Sequence, residues 1–431
     1  MIAMAQRNSY ALRCEWLALW LITLCAFFIP ITVALTTITY LCAWFLILIS
    51  GNWKQRFQQV LKNPVAISFW ILFGLFLLGL TYSASPWYYA LKDLHKRHWL
   101  LITPFFMMLP IDDHWRNRII NAFLCAMLVT LFFSYLKCFF GVDLYLTFVH
   151  KTLSFSNVFF EHLVQNFFMS IAAFICGYRF FNRSTRRWIY FTLFVAMLVN
   201  VLFLNDGRTG HIVFLLLLMY LAYTRFGWRG IIISGICSVI LFSSAYVFSS
   251  HLRSSVTTAI SEYHMYHQGN TITSIGQRVG MLHNARTLIK KHPWIGYGTG
   301  GIRIPMQQNL TPNEINLTRP LDYVENSMLN FWLEFGIFGL IIFLVVIGWQ
   351  VKLSFSLPGA YKHIMQAFLL AYIAGSMVNS FFVSFCETHL YSLLTVACFS
   401  ALVRIPQLKE LQFPSITENN YAKIKSATHF D

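Results

Sequence analysis

Residues 321–350 read LDYVENSMLNFWLEFGIFGLIIFLVVIGWQ. The first six residues are polar and acidic. From Ser327 onward the run is apolar, interrupted chiefly by Asn330 and Glu334, over the 24 residues to Gln350. A helix rises about 1.5 Å per residue and a bilayer's hydrocarbon core is about 30 Å thick, so this stretch is long enough to cross a membrane. Asp322, Glu325 and Asn326 would then stand at the rim of a spanning helix.

The rest of the chain agrees with that reading. Of its 431 residues 57% are hydrophobic and 11% charged, with mean hydropathy +0.58; soluble domains carry about 25% charge. The ten-residue alternating segments of a transmembrane barrel are absent. The sequence therefore predicts an all-α polytopic membrane protein of about twelve spans, near 14–30, 32–50, 65–83, 99–110, 118–140, 163–181, 187–204, 210–224, 229–249, 327–350, 362–381 and 389–404. Pro30 breaks the chain between the first two. The nine cysteines have no CxxC spacing and sit mostly in apolar runs, where they act as small core hydrophobes. The first apolar run leads directly into a second, unlike a cleavable leader.

The net charge of +16 is informative by position. Stretches such as "DDHWRNR", "YRFFNRSTRRW" and "TRFGWRG" each hold at least two Lys or Arg, whereas the short connections at 141–162, 205–209 and 382–388 hold one or none. Positive loops stay in the cytoplasm, which puts both termini inside. The domain expectation is an N-terminal bundle of about nine helices over 1–249, an outer loop subdomain over 250–326, three further membrane helices over 327–404 and an inner tail over 405–431. A loop of about 77 residues in a compact protein is usually functional. This one carries a helical pattern, "GQRVGMLHNARTLIKKH", and a glycine-rich turn, "WIGYGTGG". That turn follows no strand of a βαβ unit, so a dinucleotide fingerprint is excluded.

Several cations fall on the outer face, where the charge rule does not put them: Lys92, Lys96 and Arg97 before the fourth expected span, Arg208 in the tight turn "NDGRTGH", and Arg253, Arg278, Arg286, Lys290, Lys291, Arg303 and Arg319 in the long loop. Taken singly, each reads as a solvated surface charge. Arg208 fits that reading least, because an ionised group between two apolar helices is costly without a partner. Guanidinium forks match phosphate oxygens, so the cluster points to an anionic ligand such as a lipid-linked phosphate or pyrophosphate.

Three stretches together resemble a known family. They are "LFLNDGRTGHIVFLLLLMYL", an arginine turn leading into a span; "NTITSIGQRVGMLHNARTLIKKHPWIGYGTGG", a second arginine, a helix and a His-Pro-x-x-Gly-x-Gly turn; and "YVENSMLNFWLEFGIFGL". In this order around a long loop they look like the O-antigen ligase and polymerase superfamily of bacterial envelopes, with the resemblance covering about 65–404. It implies a twelve-helix inner-membrane glycosyltransferase without metal or cofactor. A glycan would be moved from undecaprenyl pyrophosphate at the periplasmic face. The acceptor is the lipid A core in a ligase and another lipid-linked repeat in a polymerase; membrane lipids surround both, and no nucleic acid is involved.

Carried over by position, Arg208 and Arg278 would bind the pyrophosphate. Glu325 and Asn326 stand where the family usually has His-Asn. Lys96, Arg97, Arg286, Arg303 and His283 are further candidates for substrate binding. The chemistry agrees: a pyrophosphate leaving group needs cations, and an acceptor hydroxyl needs a base such as a carboxylate. With glutamate in place of histidine, the base is Glu325 or one of His264, His267 and His283. The bland reading of Glu325 is an acidic residue capping the tenth span. His162, Glu387 and His389 are candidates for the cavity lining, and Glu334, mid-span, calls for an inward-facing cation. A transporter of similar size would show related halves and discontinuous central helices.

Overall fold

A computed structural model of the chain describes residues 2–51, 53–141, 157–182, 185–205, 207–248, 250–268, 273–309 and 323–402. Asp322, Arg319 and the expected tail over 405–431 lie outside these residues. The described residues form sixteen α-helices and no strand: α1 (Ile2–Phe28), α2 (Val33–Ile49), α3 (Trp53–Leu61), α4 (Pro64–Leu80), α5 (Trp87–Lys96), α6 (His98–Phe106), α7 (Asp113–Phe140), α8 (His162–Asn182), α9 (Arg187–Val199), α10 (Arg208–Phe248), α11 (Ser250–His267), α12 (Ser274–Lys291), α13 (Arg303–Gln308), α14 (Ser327–Ser354), α15 (Gly359–Ser376) and α16 (Phe385–Phe399). A π-helical turn, Asn200–Leu204, extends α9.

Seven of these segments are long and apolar enough to cross a membrane: Tyr10–Phe28, Asp113–Phe140, His162–Asn182, Arg187–Leu204, Arg208–Phe248, Ser327–Ser354 and Phe385–Leu402. Val33–Ile49 and Pro64–Leu80 are apolar but shorter. The helix at the expected fourth span, α6, has only nine residues and an internal Pro104, about 14 Å of rise. The expected inner loop "TRFGWRG" is reduced to one non-helical residue, Gly227, within α10.

Local chemistry sets the helix ends. The chain turns at Pro30 between α1 and α2, as the sequence predicts. Asn63 caps α4 by accepting from Val65 N, with Pro64 in the first turn. Asp112 caps α7 by accepting from Trp115 N at 2.9 Å, and Gly141 ends it in the left-handed region. Such caps supply partners for amides the helix itself cannot satisfy.

The main core runs through α4, α6, α7, α8, α14, α15 and α16 and is dense in aromatic rings. Phe331 stacks on Phe343 at 4.2 Å and Tyr372 on Tyr391 at 4.7 Å, while Phe76 meets Phe335 edge-on at 4.9 Å. Inside a bilayer such packing, rather than water exclusion, drives helix association. A second, smaller core joins Met281, Ala285, Leu288, Tyr297, Ile302, Met306 and Val324 to Leu333 of α14. It holds the residues of the long loop against the bundle.

The sequence predicts a continuous tenth span, but α14 is broken at Gly336, with φ 66° and ψ −165°. The glycine-rich turn enters this break. Tyr297 N donates to Leu333 O at 2.8 Å, Gly298 N to Glu334 O at 2.7 Å, and Ile337 N to Pro293 O at 2.9 Å. These bonds give Leu333 O, Glu334 O and Ile337 N partners in place of their helix ladder. The same turn caps the end of α4. Thr299 N donates to Gly79 O at 3.1 Å, and Thr299 Oγ1 to Phe76 O at 2.6 Å.

A Cβ on Gly336 would fall 2.0 Å from Trp294 O, whereas one on Gly348 would meet nothing within 4 Å. Gly336→Ala is therefore expected to cost at least about 1–3 kcal/mol from backbone strain alone. The midpoint of thermal unfolding in detergent should drop by several degrees, with Gly348→Ala close to wild type; equal midpoints would show that the break is dispensable.

Candidate functional site

Glu325 does not cap α14. That place belongs to Asn326, whose Oδ1 accepts from Leu329 N at 3.0 Å and whose Nδ2 donates to Met377 O at 2.8 Å. Both polar atoms of Asn326 are engaged in structure. The preceding turn is clamped by Asn330, which accepts from Val324 N and donates to Val324 O, both at 2.7 Å. Ser380 Oγ adds a third bond, to Val324 O at 2.5 Å. Glu325 is thereby held just outside the helix, with its side chain turned away from the cap.

It meets Arg278. Arg278 Nε lies 2.5 Å from Glu325 Oε2, and the two side chains are 34% and 19% exposed. The closest approach is through Nε, and the contact is a Coulombic pair. Arg278 sits in the second turn of α12, whose start is fixed by Thr273 accepting from Gly276 N at 3.1 Å. Glu262 of α11 accepts from Ile275 N at 3.3 Å. Burial pushes the Arg278 guanidinium below its ordinary pKa and Glu262 opposes that shift; the group stays charged at neutral pH.

The pair lines a cavity of about 320 Å³ with Glu161, His162, Leu163, Ser274, Met281 and Tyr323. This is the lower end of the range for small-molecule sites, room for a headgroup or a sugar and not for a whole glycolipid. Arg208 is exposed at the first position of α10 and does not line this cavity, but its turn is built against the cavity wall. Asn166 Nδ2 donates to Gly207 O at 2.9 Å. A Cβ on Gly207 would lie 2.9 Å from His162 O. On the other side, Asn379 Nδ2 donates to Thr209 Oγ1 at 3.1 Å and Ser327 Oγ donates to Asn379 O at 3.2 Å. The start of α10 is thus tied to the start of α14, two residues from Glu325.

The remaining cations divide sharply. Arg97 is 3% exposed. It donates to Phe382 O at 2.6 Å and to Asp93 Oδ2 at 3.2 Å. It also faces Glu334 Oε1 at 3.9 Å and lies 4.7 Å over the Phe76 ring. Glu334, 3% exposed, thereby has the inward-facing cation that its mid-span position demands. Lys92, Lys96 and Arg303 instead share a narrow cleft with Tyr89, Asp93 and Gly300. His283 and Arg286 are exposed on α12 and line neither cavity; His264 and His267 are exposed on α11. Glu387 and His389 are buried in the bundle. Among the described residues no three of His, Cys, Asp and Glu gather where they could hold a metal ion.

Tyr323, Glu161 and Ser274 line the cavity without having stood out in the sequence.

A membrane protein of many apolar helices, with an arginine–carboxylate pair in a cavity at the mouth of a broken span, is the class that fold and site define. Residues 192–344, about a third of the chain, match the family described as O-antigen ligase, so this stretch is similar to that family. No curated protein matches the chain.

Arg97 and Arg208 are expected to respond oppositely to substitution. Arg97→Met leaves Asp93 and Glu334 buried without their cation and should cost about 3–5 kcal/mol, seen as a large loss of thermal stability without any substrate. Arg208→Ala should leave that midpoint unchanged. Equal stability for both variants would remove the structural role of Arg97.

Proposed function

We propose that the chain is an O-antigen ligase-like glycosyltransferase. It moves a glycan from undecaprenyl pyrophosphate to the lipid A core at the periplasmic face of the bacterial inner membrane. The observation that carries this reading is the Arg278–Glu325 pair in its cavity, with both residues inside the family match. The match itself supports an O-antigen ligase- or polymerase-type membrane glycosyltransferase. Donor, acceptor, twelve-span topology and membrane side belong to the proposal.

In the reaction, an acceptor hydroxyl oxygen attacks the anomeric carbon and the bond from that carbon to the pyrophosphate oxygen breaks. Undecaprenyl pyrophosphate leaves with the electron pair, and the hydroxyl proton passes to Glu325. Arg278, and Arg208 at the rim, stabilise the charge growing on the leaving group. Because Arg278 is paired with Glu325 at rest, the incoming pyrophosphate competes for the same guanidinium. Binding of the donor frees the carboxylate for its role as base, so the base becomes available only when there is something to transfer.

The polymerase reading is the alternative. Glutamate at the position where ligases usually carry histidine favours it. A transporter is disfavoured by the nature of the helix break. In transporters, interrupted helices line a path for substrate; here the break is filled by the backbone of residues 293–298.

Deletion of the gene and electrophoresis of the envelope glycolipid separate the readings. A ligase leaves the core bare while polymer accumulates on its lipid carrier, a polymerase leaves a single repeat on the core, and an unchanged pattern defeats both. Arg208→Ala and Arg278→Ala should abolish transfer while the protein still inserts. Glu325→Gln should lower turnover by about 10²-fold or more, the usual worth of a general base; full activity in that variant would transfer the role to another group.

A further inference from the structure

The end of the bundle remote from the cavity holds an arginine in a different setting. α7 finishes beside the turn that precedes Arg208. Lys137 Nζ donates to Asn157 O at 3.1 Å, Asn205 Nδ2 donates to Asn157 Oδ1 at 3.5 Å, and Asn205 Oδ1 accepts from Gly207 N at 3.1 Å. The helix has 28 residues, about 42 Å of rise against a hydrocarbon core of about 30 Å. Its first turns therefore lie at the opposite face of the membrane. Arg118 stands there, with its guanidinium carbon 4.8 Å from the centres of both the Trp20 ring of α1 and the Trp115 ring of α7. The two indoles meet edge-on at 5.4 Å, so they form a corner that holds the guanidinium.

The rings attract the cation through their faces, but among the described residues no carboxylate or other acceptor engages its N–H groups. The acids at this end of the bundle are committed elsewhere. Glu15 pairs with Arg56, Asp113 with Arg116, and Asp112 caps α7. The side of α1 that meets Arg118 has the profile of a phospholipid contact. Arg13, Trp16, Leu17, Trp20 and Leu24 recur at three- and four-residue spacing, which puts them on one side of the helix. Arg13, Trp16, Leu17 and Leu24 are all exposed. Cation and indole come first and aliphatic side chains after, the order in which a bilayer presents its headgroups and its chains.

We propose that Arg118 and Arg13 bind the phosphate of an anionic phospholipid in the leaflet remote from the cavity, with its chains lying along Leu17 and Leu24. A guanidinium matches phosphate oxygens with a planar fork. Arg118 is already fixed by its two rings, so little freedom is lost when a phosphate arrives. Trp16 meets Trp20 edge-on at 5.8 Å and prolongs the indole corner toward Arg13, giving an amphipathic contact at headgroup level. A zwitterionic headgroup would bring its own ammonium beside two arginines, a repulsion that an anionic headgroup avoids. The site lies apart from the transfer reaction and does not rest on the glycosyltransferase reading.

Native mass spectrometry of the full chain in neutral detergent, titrated with phosphatidylglycerol or with phosphatidylcholine, measures this directly. Wild type should bind its first phosphatidylglycerol about tenfold more tightly than phosphatidylcholine, the worth of one hydrogen bond to a charged group. Arg118→Gln should lose most of that preference. Arg13→Gln should reduce it about fivefold, the usual effect of one basic residue at a membrane surface. Arg13 is exposed and engages no acceptor among the described residues, so this variant tests the site even if Arg118→Gln fails to fold. Arg225, exposed about 26 Å along α10 from Arg208, is a cation of the same membrane face outside the site, and Arg225→Gln should leave the preference intact. Equal affinity of wild type for the two lipids overturns the site. So does a preference kept in full by folded Arg118→Gln or by Arg13→Gln, or an equal loss in Arg225→Gln, which would reduce the binding to the general positive charge of that face. Displacement of phosphatidylglycerol by inorganic phosphate at comparable concentration would assign the arginines to a soluble anion and likewise overturn it.

Discussion

A backbone hydrogen bond in a low-dielectric interior cannot be left open, and the break at Gly336 is where this chain meets that constraint. Interrupting α14 frees Leu333 O, Glu334 O and Ile337 N, each of which would cost several kcal/mol unpaired in a bilayer. The turn at 293–301 supplies all three partners and closes the end of α4 with Thr299. Since the turn follows α12 directly, that helix is fixed by the same bonds. Tyr297 also donates through its hydroxyl to Leu288 O at 3.2 Å, on the last turns of α12. The position of Arg278 relative to Glu325 is thus set from both sides: α12 hangs on the turn, the turn sits in α14, and α14 carries Glu325 at its mouth. A polar loop alone would not hold two ionised side chains in register over a membrane surface. A loop stitched into a spanning helix does.

Burial decides what each charge does. Arg97 is excluded from water and keeps its charge because Asp93 shares its guanidinium and Glu334 lies 3.9 Å from it. Pairs of this kind seldom add net stability over apolar packing, but removing one member is costly. Their effect is positional: Arg97 and Asp93 flank the end of α5, Glu334 belongs to α14, and together they hold α5 against the helix that bears the site. Arg278 and Glu325 have the same chemistry and a different setting. Partly exposed at a cavity wall, they can part company when a competing anion arrives. Lys96, at the end of α5, lies 6.0 Å from the ring of Tyr323 in the cavity wall.

Much of this was legible in the sequence, because apolar length and charge are properties of composition. The helical class, the turn at Pro30 and a cation for Glu334 all follow from patterning. The residues of the site were legible as well: Arg278 and Glu325 stand out as ionised groups in a chain that has few. Their pairing was not, since it depends on a 47-residue separation in the chain being closed by the turn. Nor was the break at Gly336. Two glycines, Gly336 and Gly339, on an apolar helix look like ordinary small residues of a membrane interface, and nothing local signals that a backbone 40 residues upstream will enter there. Asn326 is a substrate candidate because it stands at the asparagine of the family's His-Asn, but the amide's position just before an apolar run is that of an N-cap. Arg97 was grouped with Lys96 by adjacency, yet neighbouring positions on a helix face different ways, one to solvent and one to the core.

Glutamate at position 325 has a consequence that histidine would not share. A carboxylate carries a full negative charge at neutral pH and attracts Arg278 strongly, whereas a neutral imidazole accepts a proton without needing to leave a cation first. On the proposed reading, a glutamate enzyme therefore couples its base to occupancy of the pyrophosphate site, and a histidine enzyme does not. The coupling suits a site at a membrane rim, where water competes with the acceptor for the activated sugar. With the carboxylate held by Arg278 until the donor arrives, the base and the leaving group come into place together. The choice of an acidic residue then need not mark a different reaction. It changes when the base becomes available, while the bond that is broken stays the same.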